Sequence, residues 1–205
     1  MVGNYAEEKQ LLKQMLTLER GRRDDYRVTL TLHLLSYVNQ ILGLRKEGTQ
    51  QVGEAFEIFR RLGKMKEQAN CLDQLAWLLL DDSQLGAAED TVFRKIKLLP
   101  EKGREFQLCQ SHHLLGKIYR SKREKEKSIH HLEAALTIAS PVNSPTQLFW
   151  IHHDMAQVFC DQGQFNNATA HAEQAKLHTA DNPYNLACGM ELQALIWDQQ
   201  LSWTL

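Results

Sequence analysis

Four prolines and four cysteines are all that 205 residues hold of the residue types that interrupt or staple a chain. Cys71, Cys109, Cys160 and Cys188 form no CxxC pair and fall within candidate helices, which favours reduced packing residues over a disulfide framework or a zinc site. No continuous apolar run reaches membrane-spanning length, and the polar opening Met1-Val2-Gly3-Asn4-Tyr5-Ala6-Glu7-Glu8 does not read as a secretory signal. The expected compartment is the cytoplasm. Also missing are a GxGxxG fingerprint, a GxxxxGKS/T loop and a GxSxG elbow, so neither phosphate cradling nor a serine nucleophile is expected. Single glycines at Gly63, Gly86, Gly116 and Gly163 suit turns or close helix packing. The chain is read as a non-enzyme with no cofactor and no metal site.

What is present is a helix-pair pattern that returns every 40 residues, with Leu75-Ala76, Leu115-Gly116 and Met155-Ala156 in equivalent places. Counting each unit from Ala69, Cys109 and Phe149, position 8 is small (Ala76, Gly116, Ala156) and position 11 is large (Leu79, Tyr119, Phe159). Small residues recur at position 20 (Ala88, Ser128, Ala168), and position 24 holds Val92, Leu132 and Ala172. Position 27 holds Lys95, Ala135 and Ala175, where Lys95 breaks the pattern. Alternation of small and large side chains at fixed offsets is what a repeated helix seam requires. Pro100 and Pro141 are expected just beyond second helices, where proline ends a helix without losing an internal hydrogen bond. An upstream unit fits less neatly, with Leu35 to Leu44 as its first helix and Ala55 at the small position of its second. A further first helix is expected from about Tyr184 to Leu201, with Met190, Ala194 and Trp197 on one face. With 43% hydrophobic composition, the pattern predicts an all-α protein: a stacked solenoid of antiparallel helix pairs.

The stretch His112-His113-Leu114-Leu115-Gly116-Lys117-Ile118-Tyr119 with Ser128, Leu132 and Ala135, and then Met155-Ala156 with Phe159, Ala168 and Ala175, resembles the tetratricopeptide repeat (TPR) family. The resemblance covers residues 28 to 201, and six extra residues per unit are similar to the longer repeat of kinesin light chains and of repeats beside signalling ATPase domains. It implies a right-handed α-solenoid organised as a capping or interaction segment at 1–27, four helix pairs at 28–183, and a capping helix or incomplete fifth repeat at 184–205. It further implies a non-catalytic scaffold that binds a peptide or helix of a protein partner through a concave groove. Groove offsets inherited from the family give Asn70, Asp73 and Trp77, with Leu80; Gln110, His113 and Lys117, with Arg120; Trp150, His153 and Gln157, with Cys160; and, on the last helix, Cys188, Glu191, Leu195 and Asp198. Trp77 and Trp150 are the preferred anchors for a ligand, with packing in the core as the other reading of each. The family's lysine-rich carboxylate clamp is not matched, since Asp73, Gln74, Trp77, His113 and Leu114 occupy its places and Lys117 stands alone.

Charge is unevenly distributed. Ser128 to Leu205 carries seven acidic residues against Lys176, whereas Arg94 to Lys127 carries eleven basic residues against four acidic ones. Without aromatic interleaving, this basic run predicts a solvated turn, and nucleic acid is not an expected partner. His112-His113 and His152-His153 are one repeat apart and His130-His131 lies between them. Adjacent histidines diverge by roughly 100° on a helix, so no HExxH-type pair forms, but His113 and His153 are expected as neighbours on stacked first helices, with Asp154 nearby. Asp81-Asp82 is expected in a helix exit turn. Leu11, Leu12, Met15, Leu16 and Leu18 beside Arg20, Arg22 and Arg23 predict an amphipathic helix that caps the first unit or, if its apolar residues are exposed, mediates self-association. A repeat arm of a larger nucleotide-binding signalling protein is the alternative reading.

Overall fold

The computed structural model describes residues 4–142, 144–178 and 182–204. Among them are ten helices and no strand: Tyr5–Arg22 (α1), Asp25–Ile41 (α2), Arg45–Arg61 (α3), Met65–Asp81 (α4), Leu85–Leu98 (α5), Glu105–Ser121 (α6), Lys125–Val142 (α7), Pro145–Cys160 (α8), Phe165–Leu177 (α9) and Pro183–Thr204 (α10). The chain divides into two compact units, Met1–Pro100 and Glu101–Leu205.

The helices are spaced by a backbone device that repeats at half the sequence period. Among the described residues, left-handed backbone occurs at Arg23, Gly43, Gly63, Ser83, Gly103, Arg123 and Gly163, all separated by multiples of 20 residues. At six of these positions the left-handed residue and its successor donate backwards to the end of the helix, as in Gly43 N to Gln40 O (3.0 Å) with Leu44 N to Asn39 O (2.8 Å), and Gly163 N to Cys160 O (2.9 Å) with Gln164 N to Phe159 O (2.9 Å). These bonds satisfy carbonyls that a helix end leaves open. The next helix starts at once, with Gly48 N to Leu44 O and Ala168 N to Gln164 O. The exception follows α5, where Leu99 is extended at φ −66°, ψ 140° because it precedes Pro100.

In the first unit, α2 with α3 and α4 with α5 form antiparallel pairs, and α1 packs on α2. The core gathers Leu12, Leu16, Leu32, Leu35, Val52, Phe59 and Leu78. In the second, α6 with α7 and α8 with α9 are the pairs and α10 packs on α8 and α9, around Leu132, Leu148, Ile151, Met155, Leu192 and Ile196. All three position-8 residues are fully buried, as are those at position 20 and at positions 24 and 27 within 2%.

Two expectations are corrected, the bounds of the upstream first helix and the place of Pro141. The upstream first helix is Asp25–Ile41, not Leu35 to Leu44. It obeys the same 40-residue count, with Ser36 at position 8 and Gly48 at position 20. Ser36 Oγ donates to Gly48 O at 3.0 Å, while in the third pair Ser128 Oγ at position 20 donates to Gly116 O at position 8 at 2.7 Å. One seam thus carries the same bond in both directions, which hid the repeat from the residue types alone. Pro141 lies in the last turn of α7 rather than beyond it; a proline near a helix end is tolerated where its neighbours complete few further bonds. Asp81 ends α4 and Asp82 caps it. On α10, Met190, Ala194 and Trp197 share an exposed face, and its buried side is Asn185, Gly189, Leu192, Gln193 and Ile196.

Candidate functional site

The first helices of successive pairs lie side by side within each unit, and the polar bonds from α2 to α4 and from α6 to α8 join residues 37 or 41 apart. In the second unit these bonds converge on Asp154, which α8 holds against α6. His113 Nε2 is 2.6 Å from Asp154 Oδ2, Lys117 Nζ donates to both carboxylate oxygens at 3.1 and 3.2 Å, and His153 Nδ1 is 3.3 Å from Oδ1. Burial by itself would raise the Asp154 pKa, but the Lys117 charge and the bonds from His113 and His153 outweigh it and hold the carboxyl well below the usual carboxylate range. The expected neighbourhood of His113, His153 and Asp154 is present, with Lys117 added. One turn further along, Arg120 Nε donates to Asp161 Oδ2 at 2.6 Å and its Nη1 donates to Gln157 Oε1.

Two open features flank this paired centre. At the start of α8, half-buried Trp150 has Phe149 (ring centroids 4.9 Å), His153 (5.4 Å) and Tyr184 of α10 (6.0 Å) around it. At the far end of α8, an open cavity of about 660 Å³ is lined by Arg120, Arg123, Lys125, Cys160, Asp161 and Gln199. Ten residues separate Trp150 from Cys160, so the two features are about 15 Å apart along the helix. Gln110 is half-buried on α6.

The first unit has a different arrangement. Asn70 is exposed on α4, and Trp77 is half-buried. Asp73 is engaged by Lys95 Nζ from α5. Lys95 is only 1% exposed, so the residue that broke the sequence pattern is a buried cation whose partner is a predicted groove residue. Gln40 Nε2 donates to Asp81 Oδ2 at 2.7 Å, joining α2 to α4. The exposed side of α2 is an apolar row of Tyr26, Leu30, Leu34, Tyr37 and Ile41. The nine predicted residues therefore fall on two units: Asn70, Asp73 and Trp77 on one, Gln110, His113, Lys117, Trp150, His153 and Gln157 on the other.

Sequence reasoning missed Tyr184, whose only signal was an aromatic at the start of α10, and the Lys95 pairing, whose signal was the broken small position. It also missed His171, which stands 40 residues after His131. Cys71 and Cys109 are poor nucleophiles, since burial pushes the Cys71 thiol up to about 12 and Cys109 to about 11. Among the described residues no group of three or more His, Cys, Asp or Glu side chains could hold a metal ion, and no helix is long and apolar enough to cross a membrane.

No family model matches the chain, and no curated protein matches it in sequence. Solved structures do match. A kinesin light chain-type protein of Podosopora anserina with nearly identical TPR-like repeats superposes with a TM-score of 0.68 at 18% identity, over 88% of this chain and 90% of that one. BtubC (BKLC) of P. vanneervenii gives 0.74 at 13% identity, over 98% and 88%. Aspartyl phosphate phosphatase F of Bacillus subtilis gives 0.74 at 14%, over 82% of this chain and 45% of that protein. At these identities the likeness is one of architecture, and the fold of this chain is the all-α solenoid of TPR-like repeat proteins.

Proposed function

We propose that this protein is a non-catalytic scaffold that binds an extended peptide or a helix of a protein partner on the exposed faces of its first helices. The observation that carries this reading is the second unit's combination of a rigid, internally paired centre with open features on both sides. Asp154 already neutralises Lys117, so the middle of the face offers no unpaired charge to a ligand. Trp150 and Tyr184 supply aromatic area at one end and the Arg120–Lys125 cavity supplies polar space at the other. A face whose side chains are held before binding loses little entropy when a ligand arrives, and an aromatic residue at its edge is the usual energetic anchor. In the first unit, Trp77 and the α2 row of Tyr26, Leu30 and Tyr37 offer a more apolar face.

The test is selection from a displayed peptide library with the wild-type chain and with W150A/Y184A, after circular dichroism has shown the variant to be folded. Enrichment of related sequences by the wild type and its loss in the variant supports the reading; equal enrichment by both removes these two residues as anchors. His113 is a poor probe, because its loss would unsettle Asp154 as well as the face.

A second reading, self-association, is favoured by α1. It buries Leu12 and Leu16 but leaves Leu11 61% and Leu18 64% exposed, with Met15 beside them, an apolar strip suited to a second helix. Sedimentation of the wild type against L11E/L18E decides it: a concentration-dependent dimer lost in the variant supports this role, and a monomer throughout removes it.

A further inference from the structure

The seam between the first and second helices of the last two pairs carries one histidine arrangement twice. His112 Nδ1 of α6 is 3.0 Å from His131 Nδ1 of α7, and His152 Nδ1 of α8 is 3.0 Å from His171 Nδ1 of α9. Ring centroids are 5.2 Å apart in both pairs, with interplanar angles of 33° and 32°. The supporting ring is also duplicated: Tyr119 stacks on His131 at 5.2 Å and Phe159 on His171 at 5.3 Å. All three residues of one set lie 40 positions from their counterparts.

We propose that each pair is a two-imidazole site for a divalent first-row transition ion, copper(II) above all. An ion about 2.0–2.1 Å from each nitrogen, the usual metal–imidazole length, sees two nitrogens 3.0 Å apart at roughly 90°. That is the angle between neighbouring ligands of a tetragonal ion, and it is too narrow for the tetrahedral arrangement zinc prefers. Copper(II) also stands highest in affinity for nitrogen ligands among these ions. Binding replaces the proton shared between the two Nδ1 atoms: that proton moves to the Nε2 of the same ring through solvent, both rings stay neutral, and water completes the coordination. The stacked Tyr119 and Phe159 hold the second-helix imidazoles in place, so the site is largely formed before the ion arrives.

The two sites are unequal. Lys122 and Lys127 lie over the Tyr119 ring at 5.6 and 5.2 Å, Lys127 also paired with Glu124 at 2.6 Å, so the first pair has ammonium groups nearby, with His130 against His131. The second pair has the Glu133 carboxylate acting on His171 and His178 stacked on His152 at 6.0 Å. A cation therefore fills the His152/His171 site first.

The experiment is titration of the full, untagged chain with copper(II), followed by electron paramagnetic resonance and calorimetry. The wild type is expected to bind two ions with nitrogen hyperfine structure, H171N to lose the tighter one, H131N to lose the weaker one, and the double variant to lose both. Asparagine places an amide N–H where Nδ1 stood, so the bond across the seam survives while the ligand is removed. Two ions still bound by a folded H131N/H171N, or none by the wild type, overturns the proposal. Should the variants unfold, imidazole NMR of the wild type decides: substoichiometric copper broadens His152 and His171 first if the site exists, and broadening that begins at other histidines overturns it.

Discussion

The two units hold the carboxylates of their first helices in different ways. In residues 4–100, Asp73 is tied to Lys95 of its own pair, with the ammonium buried and the carboxylate still a quarter exposed. In residues 101–204, Asp154 is itself buried and is shared by His113, Lys117 and His153, so it joins one first helix to the next. The first arrangement fills a position that is alanine in every other pair (Ala55, Ala135 and Ala175, all fully buried); the second stitches successive repeats together. In a chain where each repeat contacts only its neighbours, a bond between repeats governs cooperativity and a bond within one governs only that repeat.

The largest break in this comparison is D154A. It leaves a gap where the buried carboxylate stood and removes the partner shared by His113 and Lys117, and a loss of about 2–3 kcal/mol is expected, read as a lower urea midpoint. Its counterpart K95M keeps the volume and leaves Asp73 able to reach water, so stability should stay within about 1 kcal/mol of wild type or rise. Equal losses from the two would erase the distinction.

Acid sharpens it next. Eight of the nine histidines lie beyond residue 100. Burial, then the His171 and His178 charges, push His152 down to about 4, and burial also lowers His112 and His171. Groups with depressed imidazole pKa values are bound by protons more readily when unfolded, so stability is complete above about 6.5 and is lost as pH falls from there towards 4. Asp154 adds a second loss below the ordinary carboxylate pKa, as its proton is forced on. In the first unit, burial also lowers His33, opposed by Asp73. Amide exchange at pH 5 should therefore show α6–α9 opening before α2–α5; uniform loss of protection would contradict the assignment.

Smaller effects probe the seam. A methyl group on Gly116 would come within 2.6 Å of Leu132 Cγ, whereas one on Gly48 would meet Leu78 Cδ2 at 3.2 Å and Ser36 O at 3.3 Å. G116A is expected to cost about 1–3 kcal/mol. G48A should be near neutral in thermal denaturation, because the end of Leu78 can move and alanine favours the helix by roughly 1 kcal/mol. The smallest expected change is a gain: Ser83 sits at φ 57°, a region glycine occupies without penalty, so S83G should stabilise by about 0.5–1 kcal/mol.

The helical solenoid and the 40-residue period were legible because a seam repeated in space demands small residues at the same offset each time. Ala76, Gly116 and Ala156 answer that demand directly, as do Ala88, Ser128 and Ala168. The underlying 20-residue spacing of left-handed turns was not legible, because Arg23, Ser83 and Arg123 occupy places where glycine would have announced it. Nor was the first pair's register, since its serine and glycine have changed sides of the seam. The groove offsets came from resemblance, and they named which residues lie on first helices but not what those residues do. Whether His113 and Lys117 face a ligand or a buried aspartate depends on the stagger between neighbouring helices, which no local pattern encodes.

By itself, then, the chain's sequence determined helix, repeat length and the small and large positions of the seam, all of which follow from contacts repeated at fixed separation. Only the tertiary structure decided the pairing of charges and rings. Asp73 with Lys95, Asp154 with His113 and Lys117, and His152 with His171 are contacts between helices. Their geometry follows from how far each helix is shifted and rotated against the next, quantities to which every packed side chain contributes.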